Sequence, residues 1–385
     1  MLSLCRNRSF TFFQRVMIMK LGIISDTHDD RANALPYIIR ELIKRGVDQI
    51  IHCGDIEPKH INSSLFNGLP VTCAINFEQH KKIDIKNPPA GWAYTTHTKD
   101  NHETRIRDID HIRCYIGHKF SSRLLLEPQT AFMKGIDELR TNFDGLRWIF
   151  AGHTHHQIFT QDALVNFINP GAVCDSINNS HEFAILDTNT GEVTFSRILR
   201  TTPIEPDFSV GIISDSLQIS KIDGDFWKKL SIELKNKNVT HIIHCGNIAS
   251  EDIGRSELDE FQVHYYSRVP ATQRPGNNWH AINKNRPLIN INGRQFYLHT
   301  ILARILLEES EVEMHKECLK ILENHPEVSF VLYGGTNNAF LNEGQQARIF
   351  SPGDAFSSRG YGVIKFPVTE IVLGHVPLNP FPPIQ

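Results

Sequence analysis

The chain repeats itself, and the repetition restricts its possible folds more than any other feature. Gly22-Ile23-Ile24-Ser25-Asp26 returns residue for residue as Gly211-Ile212-Ile213-Ser214-Asp215. Ile50-Ile51-His52-Cys53-Gly54-Asp55-Ile56 returns at 242–248 with one change, Asn247 in place of Asp55. Residues 148–155 are tracked by 330–337, and Asn169-Pro170-Gly171 by Ser351-Pro352-Gly353, in the same order and at nearly the same spacing. Ordered self-similarity of this kind marks an internal duplication, and 385 residues are enough for two domains. Between the copies, Thr201-Thr202-Pro203-Ile204-Glu205-Pro206-Asp207 has the composition of a linker. The expected division is a domain at 19–200, a linker at 201–208 and a second domain at 209–385. Residues 1–18 read as a tail or an upstream start: Arg6, Arg8 and Arg15 stand without the uninterrupted apolar core of a secretory signal.

The first copy alternates strand and helix patterns. An apolar run at 21–24 reads as a short buried strand; Leu35, Ile38, Ile39, Leu42 and Ile43 follow at helical spacing, closed by Gly46, and a second apolar run comes at 50–52. Strand, helix, strand is a parallel βαβ unit. A helix is predicted at 59–66, a strand at 71–75 ending in Asn76, and an irregular surface excursion at 87–103 that includes His97 and His102. A strand at 111–116, a helix at 129–140 and a strand at 148–151 precede four short strands at 156–159, 165–168, 183–186 and 193–198. In the second copy Phe226, Trp227, Leu230 and Leu234 share a helical face, and Ser310 with Glu313 forms a capping-box signature.

The polar residues that end these strands carry the chemistry. Asp26 and His28 follow the first run, Asp55 the second, and His153 and His155 the run at 148–151. Ligands spaced two apart on an extended backbone point the same way. Three buried strands that each end in Asp or His are most economically read as a metal cluster. Composition argues against other classes: a formal net charge of −3 gives no basis for nucleic-acid binding through bulk electrostatics, and no apolar stretch is long enough to cross a bilayer. The seven cysteines are scattered, without a C-x-x-C, which fits reduced thiols and a reducing, cytoplasmic compartment.

Taken together, Ser25-Asp26-Thr27-His28, His52-Cys53-Gly54-Asp55, Asn76 at a strand end, Gly117-His118, Gly152-His153-Thr154-His155 and Asn169-Pro170-Gly171 resemble the calcineurin-like metallophosphoesterases, and within them the small bacterial and archaeal phosphodiesterase branch. The resemblance implies an α/β fold of two tandem metallophosphoesterase-like domains, each a two-sheet β-sandwich flanked by helices (αββα). It implies one divalent metal on Asp26, His28 and His155, a second on Asn76 and His153, and Asp55 bridging them, with Mn, Fe, Ni or Zn as the ions. Two ions so held lower the pKa of a shared water and supply a hydroxide for in-line attack on phosphorus. The implied activity is a metal-dependent phosphoesterase, in particular a phosphodiesterase, acting on a phosphate-ester substrate.

The sequence departs from the family pattern in three places. Ile116-Gly117-His118 stands where the family has H-G-H, so His118 is the candidate to replace the missing second-metal histidine and, with Asn76, a candidate catalytic residue. The glycine before Asn76 is Ile75, and Phe77 stands where some members carry a proton-donating histidine. In the second copy Leu217, Asn247, Tyr266, Gly335 and Asn337 replace His28, Asp55, Asn76, His153 and His155, and His299 takes the place of Ile116. That copy is therefore expected to be a degenerate domain kept for packing against the first. The alternative reading is a non-catalytic scaffold of the same fold that binds a protein partner; the oligomeric state is open.

Overall fold

The computed structural model describes residues 19–376 apart from 29–33, 62–63, 76–82, 97–101, 121–128, 162–164, 175–179, 200–207, 217–218, 247, 267–275, 284–286, 300–319, 335–338, 344–347, 354, 356–358 and 367–369. Asn76, His97, most of the expected linker and the capping box at Ser310 lie outside the described residues.

In the first half the strands are β1 (Lys20–Ile24), β2 (Gln49–His52), β3 (Val71–Ile75), β4 (Trp92–Thr96), β5 (Ile106–Ile109), β6 (Ile112–Ile116), β7 (Leu146–Phe150), β8 (Gln157–Gln161), β9 (Asn166–Pro170), β10 (Ser180–Asp187) and β11 (Val193–Leu199). The second half contributes β12 (Phe208–Ile213), β13 (Val239–His244), β14 (Gln262–Tyr265), β15 (Trp279–Ala281), β16 (Leu288–Ile291), β17 (Arg294–His299), β18 (Val328–Tyr333), β19 (Ala339–Glu343), β20 (Arg348–Pro352), β21 (Gly360–Phe366) and β22 (Glu370–His375).

Alternation along each strand decides which layer its side chains join. Leu21 and Ile23 of β1 enter the core between two sheets, while Ile24 faces the helix Leu35–Lys44 with Leu35, Ile38, Ile39 and Leu42. Gly22 lies under that helix, where an added Cβ would come within 3.1 Å of Leu42. Gly211 repeats the arrangement beneath Leu234 of the helix Phe226–Asn236, at 3.2 Å. On the far side Ile136 and Leu139 of the helix Gln129–Asn142 cover the second sheet. Helix, sheet, sheet, helix is the order of layers.

The sequence predicts two sandwiches side by side; in the structure the sheets run through both halves. One sheet has twelve strands in the order β15-β14-β13-β12-β21-β22-β11-β10-β1-β2-β3-β4, the other ten in the order β16-β17-β18-β20-β19-β8-β9-β7-β6-β5. Outward from the seam, each half follows the same order: β11-β10-β1-β2-β3-β4 answers β22-β21-β12-β13-β14-β15. The halves join edge to edge, β11 antiparallel to β22 (Phe195 opposite Ile371) and β8 antiparallel to β19 (Phe159 opposite Leu341). Left alone, each half would expose two unpaired sheet edges at the seam, and the pairing removes these four. A single apolar core results, in which Leu21, Phe150 and Phe195 share one cluster with Ile212, Phe330 and Phe366.

Polar contacts, half-buried around Arg45 and buried around Arg348, lock the seam. The Arg45 guanidinium donates to Ser196 Oγ at 2.9 Å and pairs with Glu370, which also meets Lys365 at 3.3 Å. Arg348, fully enclosed, donates to Gln157, whose amide donates to the Ser196 carbonyl at 2.9 Å.

Two local expectations are corrected. Among the described residues of the helix predicted at 59–66 there is only a short 3-10 turn, Pro58–His60, and Phe66 alone is fully buried, too little apolar surface for a helical face. The excursion at 87–103 contains the sheet-edge strand β4, with Trp92 and Tyr94 buried on one face and Ala93 exposed on the other. Its alternation is only three residues long and is masked by the polar and prolyl residues around it.

Because one core and two ladders cross the seam, the full chain is expected to unfold in one transition. Calorimetric and van't Hoff enthalpies should agree; two resolved transitions would show that the halves fold independently.

Candidate metal centre

β1, β2 and β7 are adjacent to one another or face each other across the core, and all three end at one side of the sandwich. The residues just beyond them leave the strand conformation. Asp26, His28, Asp55, His153 and His155 have φ of 53°, 44°, 57°, 75° and 60°. Left-handed backbone is uncommon for residues other than glycine and costs on the order of 1–3 kcal/mol each. The paired spacing of Asp26 with His28 and of His153 with His155 therefore converges through tight left-handed turns, and not through the extended alternation expected from sequence. Backbone bonds hold the turns: Asp26 N–H to the Gly54 carbonyl and His28 N–H to the Asp55 carbonyl, both 3.0 Å, and Gly152 N–H to the His118 carbonyl, 2.9 Å.

Asp26 is wholly buried. Its Oδ2 accepts from Ser25 Oγ at 2.6 Å and from the His153 backbone N–H at 2.9 Å. Its Oδ1 takes no hydrogen bond of good geometry and faces His155 Nε2 at 3.3 Å and His118 Nε2 at 3.9 Å. Burial works to raise the Asp26 pKa, but the close approach of His155, the charge of His118 and the Ser25 hydroxyl outweigh it and bring it down to about 2. A buried carboxylate oxygen turned toward imidazole nitrogens is a position for a cation.

Two groups of potential ligands share Asp26: Asp26 with His28 and His155, and Asp26 with Asp55 and His118. The first is the trio implied by the family resemblance. In the second, Asp26 and not Asp55 is the shared residue, and His118 joins where the sequence lacks a histidine at Ile116. Ile116 is fully enclosed in the inter-sheet core. His118 Nδ1 lies 3.0 Å from the Cys53 carbonyl and donates to it, which aims Nε2 toward Asp26. His28 Nδ1 faces Asp55 Oδ2 at 3.4 Å, and its Nε2 meets His155 Nε2 at 3.2 Å. Two carboxylates with imidazole nitrogens suit a first-row divalent ion. His153 is outside both groups, its ring edge-on to His118 at 5.1 Å.

Two glycines make room. A Cβ on Gly152 would fall 1.9 Å from Ser25 Oγ and 2.8 Å from Asp26 Oδ2, and one on Gly54 would fall 2.6 Å from His118 Cβ. Sequence reasoning passed over Ser25 and the Cys53 carbonyl, since neither residue type advertises a ligand-supporting role.

His52 supports the backbone of this region. It is buried, its Nδ1 accepts from Gly54 N–H at 3.1 Å, and its Nε2 meets Thr27 Oγ1 at 3.2 Å. The second half repeats the device with His244, Gly246 and Ser216. Asp215 there keeps a φ of 50°, but among the described residues no group of potential metal ligands forms in that half. The His299 carbonyl accepts from Gly334 N–H at 3.2 Å, as that of His118 does from Gly152. Leu298 pairs with Leu332 as Ile116 pairs with Phe150, so the strand register sets Leu298, and not His299, at the place of Ile116.

Residues 19–191 match the family model of the calcineurin-like phosphoesterase superfamily domain. A phosphodiesterase of Methanocaldococcus jannaschii is 27% identical over 185 residues, 45% of this chain and 96% of that protein. Among solved structures, an archaeal phosphodiesterase is covered completely by 47% of this chain at 21% identity and a TM-score of 0.36. The zinc complex of Vps29 from Entamoeba histolytica is covered to 91% by 46% of this chain at 18% identity and a TM-score of 0.31. Among the described residues no helix is long and apolar enough to cross a membrane, and Cys53, Cys73, Cys114, Cys174 and Cys245 are free thiols.

Burial lowers the pKa of His52 and of His244 from 6.5 to about 3. The unfolded chain binds these protons near pH 6.5 and the folded chain does not, so stability is complete above pH 6.5 and falls as the pH drops toward 3. The slope approaches about 1.4 kcal/mol per pH unit for each histidine. Urea midpoints measured from pH 7.5 to 5 should decline accordingly, and less steeply in His244→Gln.

Proposed function

We propose, from the match of residues 19–191 to the calcineurin-like phosphoesterase superfamily domain, that the first half of this chain is a metal-dependent phosphoesterase that hydrolyses phosphodiesters. The observation that carries the reading is the convergence of His28, His155, Asp55 and His118 on the buried carboxylate of Asp26.

Asp26 is ionised throughout the neutral range and, with Asp55, gives the cluster two negative charges for divalent ions to offset. Asp26, His28 and His155 would hold one ion; Asp26, Asp55 and His118 would hold a second, with Asn76 and His153 as further ligands. Bound divalent ions offset the charge of a phosphoryl group and lower the pKa of water near to neutrality. The chain's own residues would fix the site's geometry in advance. His118 is oriented by the Cys53 carbonyl, His28 by Asp55, and the His153 backbone by Asp26. The assignment to diesters rests on the name of the M. jannaschii relative, which is 27% identical.

The test is hydrolysis of an aryl phosphodiester and an aryl phosphomonoester by the full chain, with and without Mn²⁺. Turnover should need the ion, favour the diester, and fall by about 100-fold or more in Asp55→Ala, which removes a ligand outright. Absence of turnover with Mn²⁺, Fe²⁺, Ni²⁺ and Zn²⁺ alike would overturn the reading in favour of a scaffold.

Gly152→Ala offers an independent check, since its methyl group would displace the Asp26 carboxylate. Mn²⁺ binding followed by titration calorimetry should be lost in that variant, while wild-type protein binds.

A further inference from the structure

Asn169 lies at the end of β9, completely buried, and all of its side-chain capacity but one lone pair is in use. Its Nδ2 donates twice, to the Gly152 carbonyl and to Thr154 Oγ1, each at 2.9 Å; its Oδ1 accepts from Gly171 N–H at 3.1 Å. Gly152 and Thr154 flank His153, and Thr154 precedes His155. One amide thus clamps both sides of a segment whose two histidines sit at φ of 75° and 60°. Nothing in the local sequence favours that conformation, so it persists only where the surroundings over-determine it.

The second half supplies a natural comparison. Ser351 stands in place of Asn169, and its Oγ still accepts from Gly353 N–H at 3.3 Å. The turn-closing bond therefore survives the exchange. A hydroxyl carries one hydrogen, however, and cannot donate to two acceptors at once. The half with serine has Gly335 and Asn337 where the first half has His153 and His155. The double donation and the histidines occur together, and the turn occurs without either.

We infer that Asn169 is a positioning residue of the metal centre, whose two N–H bonds hold the Gly152–His155 loop in the shape that presents His155 to Asp26. The inference rests on the reading of this cluster as a metal site. Asn169 contacts no substrate and none of the expected ligand atoms; it acts through Gly152 and Thr154.

The experiment uses the full chain and Mn²⁺ alone, with affinity measured by calorimetry and folding by thermal denaturation. Asn169→Ser keeps the bond to Gly171 and loses one donor. Thr154→Val keeps the shape of a half-buried side chain and removes the acceptor on the loop. Each should weaken Mn²⁺ binding by roughly 10- to 100-fold, and the double variant should fall short of the product of the two effects because both changes act on the Asn169–Thr154 bond, Thr154→Val removing the acceptor of His156 N–H as well. Thr154→Val leaves the inference testable if Asn169→Ser fails to fold. Variants that melt earlier yet bind Mn²⁺ as wild type does would reduce Asn169 to a turn-stabilising role and overturn the inference, leaving the metal-site reading intact. Wild-type protein that binds no Mn²⁺ would overturn both.

Discussion

The centre of the first half is a carboxylate in the wrong solvent. Asp26 is wholly buried at the end of a core strand, and an ionised group there is sustained only by compensating interactions. Ser25 and the His153 N–H satisfy one oxygen, and imidazoles from two other strand ends surround the second. Three separate chain segments are thereby tied to one atom pair. The same atoms that satisfy the charge bring potential metal ligands together, so structural and chemical demands fall on the same residues.

Holding those residues requires backbone that the chain does not prefer. Five expected site residues are left-handed, and each is locked by a neighbouring carbonyl, a neighbouring N–H or a buried side chain such as His52 or Asn169. The supporting devices outlast the ligands. His244 and Ser216 reproduce the His52 and Thr27 contact in the second half, and Asp215 retains its left-handed turn, although no metal-ligand group forms there among the described residues. These features belong to the fold's own stability, which separates them from Asn169, whose double donation has no counterpart in Ser351.

The second half contributes sheet edges. Each sandwich ends at the seam in two strands whose backbone groups need partners, and the other half supplies them in antiparallel register. Arg348 and Arg45 fill the polar part of the junction and would be costly to bury without Gln157, Ser196 and Glu370. The first half's core continues into the second half, in which no group of potential metal ligands forms among the described residues.

Most strands of the first half, and Asp26, His28, Asp55 and His155 as polar residues at strand ends, were legible in the sequence, because buried strands announce themselves by apolar runs and the recurring motifs mark several strand ends twice. His118 was legible only as a histidine two places from an expected one; its orientation depends on the Cys53 carbonyl, just past the end of β2 and 65 residues away. The left-handed turns, the sharing of Asp26 between both ligand groups, the double donation of Asn169 and the fusion of two sandwiches into continuous sheets came only from the tertiary structure. Residue type and spacing determine which groups reach a strand end. Which of them share an atom, and which sheet edges find each other, is decided by contacts between segments far apart in the chain, and hydrophobic periodicity carries no record of those.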